Sequence, residues 1–221
     1  MAQDKLDRRA LLLRLAAAPA AVSLGLGAQA QEAGLIAGSV CLVQPETTAG
    51  PFYLDSGLVR RDISEGRDGA PMRVRLQVVS ADCVPVEGAR VDVWHCDAAG
   101  DYSGVLGLQG TTFLRGTQMT DGQGVAEFQT IYPGWYPGRT PHVHYIVYLQ
   151  DRRALTSQFF FTDQASATVY ENVSAYAGRG GPDRLNSADG IARRAGKAAV
   201  AALNGSTDAL EAALVIGIIA T

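Results

Sequence analysis

Cysteine is scarce in this chain: its 221 residues hold three, Cys41, Cys83 and Cys96, with no Cys-x-x-Cys spacing. Thiolate zinc clusters and dithiol redox motifs are therefore excluded. Histidine is equally rare, at three residues. No apolar run continues for the ~20 residues of a membrane helix without a charge or a proline inside it, so the mature chain has no membrane span. Basic residues form no cluster and no aromatic stripe interleaves with them, and the formal charge is -3. Nucleic acid is excluded as a partner on that pattern. Neither an internal repeat nor a low-complexity linker divides the chain, and a single domain with a sizeable core is expected.

The first thirty residues read as an export signal. Arg8 and Arg9 form a twin-arginine pair ahead of an Ala/Leu-rich segment, and Ala28-Gln29-Ala30 is a small-residue cleavage pattern. Arg14 and Pro19 interrupt the apolar segment. The expectation is a signal over residues 1–30, a domain over residues 31–221, and a periplasmic or extracellular destination. A plain secretory signal or an uncleaved anchor is the simpler alternative. Export to an oxidising compartment allows one disulfide and one leftover thiol. Of the three pairings, Cys41 with Cys83 is preferred, because Cys96 falls in a strand-like run where a small buried thiol is usual.

Alternation marks the strands. Met72 to Val79 sets Val74, Leu76 and Val78 against Arg73, Arg75 and Gln77, and Ala89 to Cys96 repeats the pattern. His95 lies in line with Val91 and Val93, which predicts a hydrogen-bonded core histidine and not a ligand. Thr120 to Gly124 reads as a hairpin-like turn into a strand over Val125 to Ile131, and Ala154 to Phe161 gives another strand, containing Gln158. Residues 162–187 read as loop. Ala192 to Leu203 favours helix by propensity, yet Asn204-Gly205 is a turn signal before the apolar Leu210 to Ile219, and a hairpin is chosen there. About seven short strands with frequent turns predict an all-β fold, a β-sandwich of mostly antiparallel strands whose long loops carry the site.

The most informative stretch is Ile131 to Leu149, IYPGWYPGRTPHVHYIVYL. His142 and His144 are two apart, so on a strand both imidazoles face one side. Tyr136 lies just upstream, and Tyr102 sits in the Asp97-to-Gly104 turn at another strand end. Phenolate is a hard anionic donor that suits ferric iron better than zinc or copper(I). Two other readings stay open at this point: a transthyretin-like binding module in which these rings merely pack, and an exported copper- or zinc-binding protein.

Four segments in register, TTAGPFY, GARVDVWHCDAAGDYSG, TDGQGVAEFQTIYPGWYP and RTPHVHY, make the chain from about Thr47 to Phe161 resemble the intradiol ring-cleavage dioxygenases, the family of catechol 1,2- and protocatechuate 3,4-dioxygenases. The resemblance implies one non-haem ferric ion per chain, held by Tyr102, Tyr136, His142 and His144. It implies a small aromatic diol and O2 as reactants and a cis,cis-muconate-type diacid as product. Tyr136 would be the ligand that leaves to take a substrate proton, Arg139 would stabilise carbanion character on the ring, and Gln158 would lie beside it. Trp135 stands where cytosolic relatives have a small residue, and a different pocket wall is expected. The long N-terminal dimerisation helix of catechol 1,2-dioxygenases has no counterpart, which suggests the exported single-domain branch and leaves the oligomeric state open.

Overall fold

The computed structural model describes residues 35–36 and 42–219. The expected signal over residues 1–30 and the expected disulfide partner Cys41 lie outside the described residues. Cys83 is disulfide-bonded, and Cys96 is a buried free thiol.

Eight strands follow in order: β1 (Pro71–Ser80), β2 (Arg90–Trp94), β3 (Arg115–Met119), β4 (Val125–Ile131), β5 (His142–Leu149), β6 (Arg152–Phe160), β7 (Ala202–Ser206) and β8 (Ala209–Ile218). They form two four-stranded sheets, ordered β4-β1-β8-β7 and β3-β2-β5-β6. Alternation puts Met72, Val74, Leu76 and Val78 of β1, Ala126 and Phe128 of β4, and Ala212, Leu214 and Ile216 of β8 into one core with Val91 and Val93 of β2 and Val143, Tyr145 and Val147 of β5. The two sheets share that core, an arrangement compatible with a β-sandwich. Pairing is antiparallel except between β1 and β8, which run parallel.

Four expectations change. The Thr120-to-Gly124 turn is no hairpin, because β3 pairs with β2 while β4 pairs with β1, so this turn crosses between sheets. Residues 162–187 are not all loop: α1 (Asp163–Asn172) starts on Thr162, whose side chain accepts from Ala165 N, and buries Ser166, Val169 and Tyr170 along one helical face. The Ala-rich run is split. It begins with a short helix α2 (Gly190–Ala195), capped by Asp189 and stopped at Gly196, before β7 starts at Ala202. The hairpin exists, but Ser206 pairs with Ala209, so Thr207-Asp208 is its turn and Asn204-Gly205 stays in strand. Among the described residues no helix is long and apolar enough to cross a membrane.

Strand β5 positions the site. Its Val143, Tyr145 and Val147 point into the core, which turns His142 and His144 to the outer face of their sheet. On that face the register aligns Trp94, His144 and Gln158 across β2, β5 and β6. A second, smaller cluster of Trp94, Cys96, Tyr102 and Ile146 forms there, with Phe52, Tyr53 and Tyr136 packed against it.

Candidate metal centre

His142 and His144 are each 2% exposed, and their Nε2 atoms are 3.1 Å apart. The tautomer of His142 follows from its other nitrogen: Nδ1 lies 2.7 Å from the Thr140 carbonyl, which can only accept. Nδ1 therefore carries the proton, and the Nε2 lone pair is left facing His144 and the Tyr136 hydroxyl at 3.2 Å. His144 is held flat against the Trp94 indole, with ring centroids 4.8 Å apart and planes 12° apart. Tyr102, 3% exposed, stacks on Phe52 at 4.6 Å. Its hydroxyl is buried beside Tyr136 yet makes no hydrogen bond of acceptable geometry.

Two phenols and two imidazoles thus converge with valences unspent. The Tyr102 hydroxyl, buried with Tyr136 as its polar neighbour, has room for a further partner. Hard oxygen combined with imidazole nitrogen is a donor set that fits ferric iron. Among the described residues no group of three His, Cys, Asp or Glu side chains is placed to hold a metal ion.

Electrostatics agree. Burial, reinforced by the Arg139 charge, pushes His142 down to about 3, and burial with the neighbouring His142 holds His144 well below the usual imidazole range. Both rings are neutral donors at ordinary pH. Burial raises the Tyr102 and Tyr136 phenols. They stay protonated until a cation nearby stabilises the phenolate.

Arg139 lies across the donor set. Its Nη1 is 3.3 Å from Tyr136 Oη and 3.4 Å from His142 Nε2, while Nη2 donates to Gln158 Oε1 at 2.6 Å and Nε to Asp189 Oδ2 at 2.7 Å. Gln158 in turn donates to the Thr48 carbonyl at 2.9 Å, tying the first loop to β6.

Close backbone contact brings the two tyrosine-bearing loops together. Gly134 N donates to the Asp97 carbonyl at 3.1 Å, and a Cβ on Gly134 would stand 2.3 Å from that oxygen. Gly100, at φ 90°, faces the Trp135 carbonyl, where a Cβ would stand 2.4 Å away. Only glycine permits these approaches. Beside Tyr102 and Tyr136 opens a cavity of about 150 Å³ walled by Phe52, Asp101, Leu106 and Leu108.

All six residues singled out from the sequence, Tyr102, Tyr136, Arg139, His142, His144 and Gln158, meet here. His95 stands apart as expected: it is 1% exposed, donating from Nδ1 to the Cys96 carbonyl at 2.8 Å and accepting at Nε2 from Thr130 at 2.7 Å. Trp135 is not among the residues that wall this cavity. It lies under the Arg179 guanidinium, 4.8 Å from the ring centroid, and donates to the Gly180 carbonyl. Asp189 was missed. Its signal was a capping residue before a short helix, placed between a stretch read as loop and an Ala-rich run read as part of a hairpin.

Residues 47–179, more than half of the chain, match the family described as "Dioxygenase". Catechol 1,2-dioxygenase 1 of Acinetobacter lwoffii is 31% identical over 140 residues, covering 52% of this chain and 45% of its own length. Chlorocatechol 1,2-dioxygenase of Pseudomonas sp. (strain P51) is 29% identical over 133 residues, covering 51% of this chain and 53% of its own. The chain thus spans about half the length of the curated relatives it matches. Among solved structures, the intradiol ring-cleavage dioxygenase from Tetranychus urticae superposes with a TM-score of 0.77 at 32% identity, covering 81% of this chain and 95% of that one. With the match to the dioxygenase family spanning both tyrosine loops and the His-x-His strand, the chain belongs to the intradiol ring-cleavage dioxygenases.

Proposed function

We propose that this protein is a non-haem iron(III) dioxygenase that cleaves a catechol-type ring between its two hydroxyl-bearing carbons. Both atoms of O2 enter the product, a cis,cis-muconate-type diacid, so no external reductant is needed. The observation that carries the reading is the convergence of Tyr102, Tyr136, His142 and His144 under Arg139. These four side chains would hold the ion. When bound, a ferric ion supplies the Lewis acidity that favours the ionised diol and makes its ring reactive toward oxygen.

The chain's own groups do the rest. Tyr136 Oη, 3.3 Å from Arg139 Nη1, can accept a diol proton while that guanidinium stabilises the negative charge left on the substrate. Phe52, stacked on Tyr102, and Leu108 offer apolar surface on the cavity wall for the ring's face. The charged side chain on the cavity wall is Asp101, so a carboxylate substituent meets a like charge. Diols with uncharged substituents are the favoured class, in line with the catechol and chlorocatechol named for the relatives. The twin-arginine pair supports export of the folded protein.

Iron-loaded protein should take up O2 on addition of catechol and release a ring-opened diacid. Protein that holds iron but consumes no O2 with catechol, a chlorocatechol or hydroxyquinol would reduce the reading to metal binding.

A further inference from the structure

Arg139 is held from behind. Its Nε–H and Nη2–H, which share one edge of the guanidinium, are taken by Asp189 at 2.7 Å and Gln158 at 2.6 Å. Only Nη1 is left to point toward Tyr136 and His142. Asp189 is 2% exposed and lies fifty residues further along the chain, in the segment that enters α2.

The two oxygens of Asp189 have separate tasks. Oδ1 accepts from Ile191 N at 2.8 Å and Ala192 N at 3.1 Å, capping α2. Oδ2 accepts from Arg139 Nε and from Thr140 N at 3.1 Å. Thr140 is the residue whose carbonyl takes the His142 Nδ1 proton at 2.7 Å. One oxygen therefore secures the helix, and the other holds both the Arg139 guanidinium and the backbone that sets a histidine tautomer. Burial alone would raise this carboxyl, but the hydrogen bonds from Arg139, Ala192 and Thr140 hold it below the ordinary range, so it stays ionised.

We propose that Asp189 is a positioning residue of the centre, fixing the guanidinium of Arg139 and the Thr140 anchor of His142 through Oδ2. The proposal rests on the reading of the site given above. It assigns the C-terminal segment a part in the chemistry: a carboxylate behind the arginine sets the direction of its free Nη1 and balances its charge, as outer hydrogen-bond partners do for groups that touch metal or substrate.

Asp189→Asn separates the two tasks. Asparagine caps a helix as well as aspartate, so Oδ1 keeps its bonds, while the amide Nδ2 sets a donor against the Arg139 and Thr140 donors. The iron-loaded variant should keep its fold and most of its metal, with a Tm lower by roughly 5–10 °C for the broken buried ion pair, while kcat falls about 10- to 100-fold with a smaller change in KM. The deciding measurement is a cycle of Asp189→Asn, Arg139→Gln and the double variant. It is read by kcat and, independently of turnover, by anaerobic titration of the visible band with catechol. Because Oδ2 also holds Thr140, the double variant should lose more than Arg139→Gln alone yet fall well short of the product of the two single losses in both readouts. Additive losses in both would overturn the proposal. Asp189→Glu, which keeps the charge, should recover part of kcat, and a Glu variant as impaired as the Asn variant would also count against it. A wild-type protein whose band does not respond to catechol would instead sink the reading of the site itself.

Discussion

The two ends of strand β5 differ in chemistry more than in shape. At its start, His142 and His144 are shut away from water with ring nitrogens facing each other 3.1 Å apart. At its far end, Gln150 and Asp151 form a tight turn at φ 48° and 62°, and Arg152 is exposed. The larger cavity, about 500 Å³, lies at that far end, walled by Val86, Glu87, Leu149, Arg153 and Ile219. Its charged groups reach solvent, and the Arg153 guanidinium rests near the Tyr148 ring. Cavity size therefore points to the wrong end. The converging buried imidazoles and phenols favour the near end instead, since convergent polar groups shut away from water are the usual mark of a functional site.

The sharpest way to break this contrast is to remove a donor at the buried end. His144→Ala should lose iron and lower kcat/KM at least about 10³-fold, since it removes the several kcal/mol of charge stabilisation a metal provides. Iron content by elemental analysis, together with O2 uptake, checks it. An Ala variant that keeps both would remove His144 from the donor set.

Next in size is the comparison among histidines. His95 is satisfied at both nitrogens, and burial pushes it down to about 4 from 6.5. Because its folded value is depressed, the unfolded chain takes up the proton first as pH falls. Stability is whole above about 6.5 and is lost as pH falls through about 4. The loss attributable to His95 should be about 3 kcal/mol. Denaturant unfolding of wild type and His95→Gln across that window measures it; equal pH slopes in the two proteins would refute it.

A smaller effect is expected at the cavity rim. Asp101→Lys should raise kcat/KM for a carboxylate-bearing catechol relative to catechol by up to about 5-fold, the scale of an exposed ion pair. An unchanged ratio would mean that substituents do not pass Asp101. Smallest of all is the far end of β5: Arg153→Ala should change stability by less than about 0.5 kcal/mol and leave turnover unaltered.

Local pattern made much of this visible before the fold was known. Period-two alternation located β1 and most of β2, strand-like runs beside turn signals located β4, β5 and most of β6, and the His-x-His spacing put two imidazoles on one side of a strand. Alternation cannot say which side faces the core, so the outward placement of the pair emerged only from the register of β5 with β2 and β6. Strand β3, RGTQM, has no apolar alternation and is held by pairing with β2. The Thr120-to-Gly124 turn carries hairpin chemistry, yet the strands around it belong to different sheets, a long-range outcome that turn residues do not encode. Asp189 meets Arg139 across fifty residues of chain, and nothing local to either residue announces the other.

The central claim is that two tyrosines are donors to iron(III), and the visible spectrum of the iron-loaded protein tests it most directly. The account predicts a phenolate-to-iron charge-transfer band that weakens or shifts in both Tyr102→Phe and Tyr136→Phe. A colourless iron-loaded protein, or a band that neither substitution alters, would contradict it.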